Sequence, residues 1–577
     1  MKCVSIPRQD RWHSQPVPLF GGLAIFTAFL ISCLLLLKGL PSLWILLLGA
    51  FLSVSLGVFD DLRHINPSSK LIGQILIACF TIRFGLKFVS TASFLISIPL
   101  TILWISGMMN AVNLLDNMDG LAGGIAVISS FFLCLNSLWN GDPQTAVLMA
   151  VVGGASLGFL YYNFCPAKIF MGDSGSMLLG YLLAVGSIFQ NHHSIPNLMV
   201  TLALPVLVLS VPVFDTTFVT LMRKLHQRPI SHGGRDHVSH RLVAFGLSER
   251  RAVLTLYAMT SFFGGLSLLS QLNPAVMMVL IGLSGIGLFS FGRFLGEVKV
   301  YTDEEKLKEN GEKKGWIFLD GILYHKRRIV EVLVDLTIIC LSYFSAVLLR
   351  FEGVISPENL RQIRDSLPLL IGIKFLSFFS FGLYRGVWRY VSLSELISIF
   401  KAVVVGEAGS ILALVFVARF VSYSRSVFVI DALLSLVLVG GSRVILAVFR
   451  DFFISMSERG RRVLIMGAGD AGEFALREIR NNHRLDYKPI GFIDDDVKKK
   501  GYRIHGVPVL GTRHQLMEIA RKEGVQEVLI AIPSVSDERF GDVYEACKRH
   551  NILCHRMSPV INNNNGKGGA EMEERND

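Results

Sequence analysis

Four short polar segments in the first half of the chain hold the residues best suited to chemistry. Asp60 and Asp61 are adjacent in GVFDDLRHINPSSK, which runs on to Lys70. A second segment, NAVNLLDNMDG, groups Asn110, Asn113, Asp116 and Asp119. A third, YNFCPAKIFMGDSGS, supplies Asn163, Lys168, Phe170 and Asp173. The fourth, SHGGRDHVSHR, carries His232, Arg235, Asp236, His237, His240 and Arg241. Adjacent carboxylates repel unless a cation or a basic group sits between them. Hard oxygen donors suit Mg²⁺, which keeps waters and shares its shell with substrate phosphates. Lys70, Arg235 and the His237/His240 pair are suited to phosphoryl oxygens. Carboxylates, one metal and a basic loop are the parts of a phosphoryl-transfer site. Each segment alone has a plainer reading, as a helix cap or a solvated loop. Their gathering on one side of a membrane is what favours chemistry.

The elements that must position them are hydrophobic. The 577 residues are 51% hydrophobic and 18% charged, with a mean hydropathy of +0.51. A soluble globular chain is about a quarter charged. The expected fold is therefore a polytopic α-helical membrane protein with a C-terminal cytoplasmic α/β Rossmann-like domain. Apolar runs predict about 14 spans, near 19–37, 42–58, 70–87, 92–108, 120–138, 145–162, 174–190, 197–221, 252–270, 274–291, 328–350, 367–384, 397–418 and 427–449. The divisions expected are a membrane domain at 1–292, a charged linker at 293–326, a four-span unit at 327–450, the α/β domain at 451–561 and a disordered tail at 562–577.

Loop charge orients the spans. The 222–251 loop carries Arg223, Lys224, Arg228, Arg235, Arg241, Arg250 and Arg251, whereas 139–144 and 191–196 contain no Lys or Arg. Basic loops stay cytoplasmic, which puts all four polar segments and the region after 450 on that side. HHSIPN at 192–197 falls opposite, as an ordinary loop. The net charge of +11 belongs with these loops, so nucleic acid is excluded as a partner. Eight scattered cysteines without a C-x-x-C pair exclude a zinc site and a disulfide framework.

DDLRHINPSSKLIGQ, NAVNLLDNMDGLAGG, YNFCPAKIFMGDSGS and GGRDHVSHRL, in this order, resemble the polyprenyl-phosphate N-acetylhexosamine-1-phosphate transferases (glycosyltransferase family 4, the MraY/WecA group) over about residues 5–290. The resemblance implies transfer of a sugar 1-phosphate from a UDP-sugar to undecaprenyl phosphate, with release of UMP. It makes Asp173 and Asn113 ligands of Mg²⁺, with Mn²⁺ as an alternative. Asp60 and Asp61 become the pair that positions or deprotonates the lipid phosphate. Lys70 becomes a diphosphate-binding lysine, and Phe170 the ring that stacks on uracil. Asp116 and Asp119, with Asn163, fall on the nucleoside side, and Arg235, His237 and His240 in the loop that closes over the diphosphate. A phosphate monoester is already largely dianionic at pH 7, so positioning should outweigh proton removal. HVSH in place of three consecutive histidines favours the WecA-like branch over the phospho-N-acetylmuramoyl-pentapeptide transferases. The implied setting is a bacterial inner membrane, and the implied partners are the two substrates and the bilayer, with a homodimer as a further option.

The second half carries RRVLIMGAGDAGEFALREIR, a strand, a Gly-rich turn and a helix. Gly467, Gly469 and Gly472 form G-x-G-x-x-G, and Asp494 ends the next strand, where an acidic residue meets a ribose hydroxyl. The pattern suits a nucleotide or NAD-like ligand; its plain alternative is a turn kept for close packing of helix on strand. GAGDAGE, GFIDDD and HGVPVLG are similar to the N-terminal half of CapD-type polysaccharide-biosynthesis proteins. Tyr544 and Lys548 have the spacing of a dehydrogenase pair but fall in the last helix of the only predicted sheet. A nucleotide-sugar epimerase or dehydratase is thus the weaker alternative. Asp335, Lys374, Glu407 and Asp431 are predicted within spans, where mutual pairing would offset their cost.

Overall fold

The computed structural model describes residues 4–5, 16–37, 43–86, 94–189, 204–225, 234, 236–269, 274–296, 298, 316–352, 356–384, 393–419, 423–456, 460–481, 487–532 and 540–556. Arg235, HHSIPN, most of the linker and the tail lie outside these. The chain divides into two compact units, residues 1–455 and 456–577.

The first unit is helical. Its helices begin with α1 (Gly21–Leu36), α2 (Leu43–Arg63), α3 (Pro67–Arg83), α4 (Phe94–Leu115), α5 (Leu121–Trp139), α6 (Pro143–Asn163) and α7 (Gly172–Phe189). They continue with α8 (Ser210–Leu225), the short α9 (Val238–Phe245), α10 (Glu249–Leu269) and α11 (Pro274–Gly296). Then come α12 (Trp316–Arg350), α13 (Pro357–Ser380), α14 (Leu393–Ala418) and α15 (Arg425–Met456). Among the described residues, ten helices are long and apolar enough to cross a membrane; α1 is apolar but has 16 residues, and α3 has 17. The region read as a linker at 293–326 is helical at both ends, because α11 reaches Gly296 and α12 starts at Trp316.

Helix α7 is the axis of the first half, with 89% of it buried. Small residues let neighbouring backbones close on it, as membrane helices require when apolar burial itself gives no drive. A Cβ on Gly22, Gly57 or Gly180 would lie 2.2–2.6 Å from a backbone atom of the facing helix. Starts are set locally. Asp142 accepts the Thr145 amide at 3.1 Å ahead of Pro143, and Ser356 does the same for Asn359 ahead of Pro357.

Three of the polar segments are more helical than their polarity suggests. α4 runs on to Leu115, α2 to Arg63, and α7 starts at Gly172, so Asp60, Asp61, Asn113 and Asp173 sit in terminal helical turns rather than in loops. Hydropathy marks where the apolar run stops, while the backbone hydrogen bonds carry the helix into the polar residues beyond it.

The second unit is a six-stranded sheet in the order β5-β6-β4-β3-β7-β8. Its strands are β3 (Arg461–Met466), β4 (Tyr487–Ile493), β5 (Arg503–Ile504), β6 (Val507–Gly511), β7 (Glu527–Ile530) and β8 (Leu553–Arg556); β1 (Val4–Ser5) and β2 (Val17–Pro18) pair in the first unit. All neighbours in the six-stranded sheet are parallel except the β5–β6 hairpin. Helices α16 (Asp470–Asn481), α17 (Leu516–Glu523) and α18 (Gly541–Arg549) connect them. Separate apolar layers form on the two faces, one around Leu476 and Phe492 and the other around Leu516 and Val543. Tyr544 of α18 packs into the second layer.

Candidate active site

The C-terminal ends of α2 and α4 meet the N-terminal ends of α3 and α7, and four polar side chains converge there. Lys70, in the opening turns of α3, is the hub. Its Nζ lies 2.8 Å from Asp60 Oδ2, 2.8 Å from Asp173 Oδ2 and 2.9 Å from Asn113 Oδ1. Asn113 uses its other end too, donating from Nδ2 to Asp173 Oδ1 at 2.7 Å and to Ser176 Oγ at 2.8 Å. Asp60 is buried, and its Oδ1 accepts the Ile65 amide at 3.0 Å, which ties it to the bend between α2 and α3.

Asp61 points into a different task. Its oxygens accept the backbone amides of Asp173 at 2.9 Å and Ser174 at 3.2 Å. These are first-turn N–H groups of α7, which have no partner inside their own helix. A carboxylate from α2 therefore fastens the turn that carries Asp173. Gly172 makes room for it: its φ is +70°, and a Cβ there would lie 2.8 Å from Asp61 Oδ2.

The donor set suits a hard divalent cation. Three oxygens already surround one positively charged atom, two from the carboxylates of Asp60 and Asp173 and one from the amide of Asn113. Among the described residues no three His, Cys, Asp or Glu side chains are grouped as a metal cage. The set is instead carboxylate plus amide, leaving coordination positions to water and phosphate, as Mg²⁺ prefers.

The second and third polar segments are laced together. Asn163 Oδ1 accepts the Gly120 amide at 3.0 Å, and its Nδ2 donates to Ile169 O at 2.9 Å. Asp119 Oδ2 accepts the Ala167 amide at 2.8 Å, and Tyr257 of α10 donates to Gly120 O. Asp116 follows the last turn of α4, its amide donating to Val112 O. Phe170 is half-buried; its amide donates to Pro18 O, while its carbonyl accepts from Gly21. The Cys165 thiol in this loop is pushed up by burial and then by the charges of Asp119 and Glu249, which disfavours a thiolate there.

The fourth segment is partly helical. His237 precedes α9, and His240 lies within it, with the two rings 6.3 Å apart. Ser239 donates to Asn117 Oδ1 at 2.7 Å, joining α9 to the turn after α4. Arg223 donates to Asp236 Oδ2 at 3.0 Å, and Arg241 donates to the Asp236, Leu295 and Val298 carbonyls. The sequence reading passed over Asp215, whose Oδ2 lies 2.8 Å from His237 Nδ1. A lone carboxylate within the predicted span 197–221 was the available signal, as it was for Asp335 and Asp431.

Among helices α12 to α15 those buried charges do pair: Lys374 contacts Asp431 at 2.6 Å and Glu407 at 2.9 Å, and Arg443 contacts Asp335 at 2.7 Å. In the α/β domain, Gly467 has φ +106° at the end of β3, and a Cβ on Gly472 would lie 1.9 Å from Gly467 O. Gly469 has open space where a Cβ would stand. Asp494 Oδ2 accepts the Ala468 amide at 2.7 Å and the Lys499 ammonium at 3.0 Å, so it braces the Gly-rich turn.

Residues 43–191 match the family described as glycosyl transferase family 4, and residues 380–555 match that described as a CoA-binding domain. The chain is 37% identical over 272 residues to a probable undecaprenyl-phosphate N-acetylglucosaminyl 1-phosphate transferase of Bacillus subtilis, covering 45% of this chain and 75% of that protein. It is 33% identical over 296 residues to the decaprenyl-phosphate N-acetylglucosaminephosphotransferase of Mycolicibacterium smegmatis, covering 44% and 72%. The later part is 26% identical over 237 residues to the capsular polysaccharide biosynthesis protein CapD of Staphylococcus aureus, covering 41% of this chain and 39% of that protein.

Proposed function

Because the chain belongs to glycosyl transferase family 4, we propose that it transfers an N-acetylhexosamine 1-phosphate from a UDP-sugar to a polyprenyl phosphate and so starts a lipid-linked surface glycan. A phosphate oxygen of the lipid attacks the sugar-bearing phosphorus, the bond to the bridging oxygen of UMP breaks, and UMP leaves with that electron pair. The observation that carries this reading is the convergence of Asp60, Asn113 and Asp173 on Lys70.

The lipid phosphate is largely dianionic at neutral pH and needs little help from a base. What the reaction needs is charge neutralisation and alignment. Lys70 supplies positive charge beside the carboxylates, and Asp61 holds the first turn of α7 so that Asp173 keeps its place. Mg²⁺, or Mn²⁺, held by Asp173 and Asn113 would neutralise charge developing on phosphoryl oxygens. Asp116, Asp119, Asn163 and Phe170 are assigned to the uridine side, and His237 and His240, with Arg235, to the diphosphate.

The positive-inside pattern supports a bacterial inner-membrane protein with its site toward the cytoplasm. Helices α1, α3, α8 and α13 complete about 14 crossings in this reading. The parallel sheet and its Gly-rich turn support a Rossmann-like domain that takes a nucleotide-type ligand. The decisive assay gives purified full-length protein undecaprenyl phosphate, Mg²⁺ and a panel of UDP-sugars, and scores UMP. UMP release with a UDP-N-acetylhexosamine, abolished by EDTA and by Asp173→Asn, is the expected result. No release with any member of the panel would overturn the reading.

A further inference from the structure

Asp215 is a carboxylate on α8 with 1% of its surface exposed, in a helix that otherwise carries no charge until its last turn. Burial of that kind is costly unless both oxygens are used. Both are. Oδ2 lies 2.8 Å from His237 Nδ1, and Oδ1 accepts the Val238 amide at 2.8 Å. Val238 opens α9, and His237, the residue before it, is extended and makes no side-chain cap of its own. One carboxylate on a neighbouring helix thus does two things: it caps α9 and it fixes the imidazole. Asp61 serves the first turn of α7 in the same way, by accepting the Asp173 and Ser174 amides.

An ionised carboxylate only accepts, so His237 Nδ1 carries the proton toward Asp215 and Nε2 becomes the atom available to a ligand. We propose that Asp215 is a positioning residue: it fixes the His237 imidazole so that Nε2 is the atom that hydrogen-bonds the diphosphate of the nucleotide-sugar. The proposal rests on the reading above that this segment meets the diphosphate.

The test uses full-length protein in lipid nanodiscs and compares inhibition by UDP, which has a diphosphate, with inhibition by UMP. Asp215→Asn keeps an oxygen for the Val238 amide but turns a donor toward Nδ1. It is expected to weaken UDP about tenfold, the value of one charge-assisted hydrogen bond, while UMP changes less than about twofold. His237→Ala should do the same, and adding Asp215→Asn to it should weaken UDP by less than about a further twofold. His237→Asn keeps a partner for Asp215 and lacks Nε2; it should lose UDP affinity without loss of Tm, which keeps the test open if Asp215→Asn does not fold. Additive losses in the double variant, or equal weakening of UDP and UMP by Asp215→Asn, would overturn the role of Asp215 alone. Wild-type UDP affinity in His237→Ala would overturn the placing of this segment on the diphosphate, and the role of Asp215 with it.

Discussion

Replacing Lys70 with Met removes the one cation among three converging oxygens while keeping an unbranched side chain of similar length. Asp60 Oδ2 and Asp173 Oδ2 each lie 2.8 Å from Nζ, so they are at most about 5.6 Å from each other. Two negative charges at that separation repel by about 3 kcal/mol at an effective dielectric constant near 20. Loss of one partner from a largely buried ion pair costs about 3–5 kcal/mol, and Lys70, with its side chain 14% exposed, belongs toward the lower end. Removing a preorganised charge from a transition state lowers turnover by about 10²–10³. Lys70→Met should therefore lower UMP release at saturating substrates by at least about a hundredfold, or about 2.7 kcal/mol. Its Tm should fall, and added Mg²⁺ should raise that Tm more than it raises the wild-type value, because a divalent cation can use the oxygens Lys70 has left. Lys70→Arg should not restore turnover, since a planar fork cannot place one atom between three oxygens. Turnover within about threefold of wild type in Lys70→Met, or a Tm indifferent to both the substitution and Mg²⁺, would refute the reasoning.

Two further outcomes are expected. Gly172→Ala forces a side chain into left-handed backbone, at about 1–2 kcal/mol, and against Asp61 Oδ2; UMP release and Tm should fall together, and a variant equal to wild type in both would contradict the Asp61 clamp. In the α/β domain, burial pushes the Asp494 carboxyl up, but the Asp496 amide, the Lys499 ammonium and the Ala468 amide outweigh it and hold the group below its usual range. A depressed native pKa adds stability that is present above the unfolded value, near about 3.9, and is lost as pH falls through the native value. Hydrogen exchange of peptides spanning β3 and β4 in the full-length protein should thus show loss of protection below about pH 4, and Asp494→Asn should flatten that dependence.

The sequence was most legible where the signal is local. Apolar runs announced the helices, and β-branched runs separated by helical stretches announced the sheet, missing only the two-residue β5. The polar motifs brought Asp60, Lys70, Asn113 and Asp173 forward as candidates from three separate segments, and these four side chains meet. Helix ends were less legible, because hydrogen bonding carries α2 and α4 past the residues where hydropathy falls. Roles were less legible still. Asp60 and Asp61 are adjacent and chemically identical, yet one faces Lys70 and the other the amides of Asp173 and Ser174.

Residue types and hydropathy alone determined that this chain is a membrane protein whose polar segments hold carboxylates, amides and cations suited to phosphates, followed in sequence by an α/β region. Which carboxylate pairs with Lys70, which accepts the first amides of α7 and which contacts an imidazole was decided by tertiary structure. Lys70 and Asp173 are 103 residues apart, Asp61 and the Asp173 amide 112, and Asp215 and His237 stand on separate elements. A carboxylate is defined by the donors within about 3 Å of it, and across such separations only helix packing, set here by the glycines around α7, brings those donors into reach.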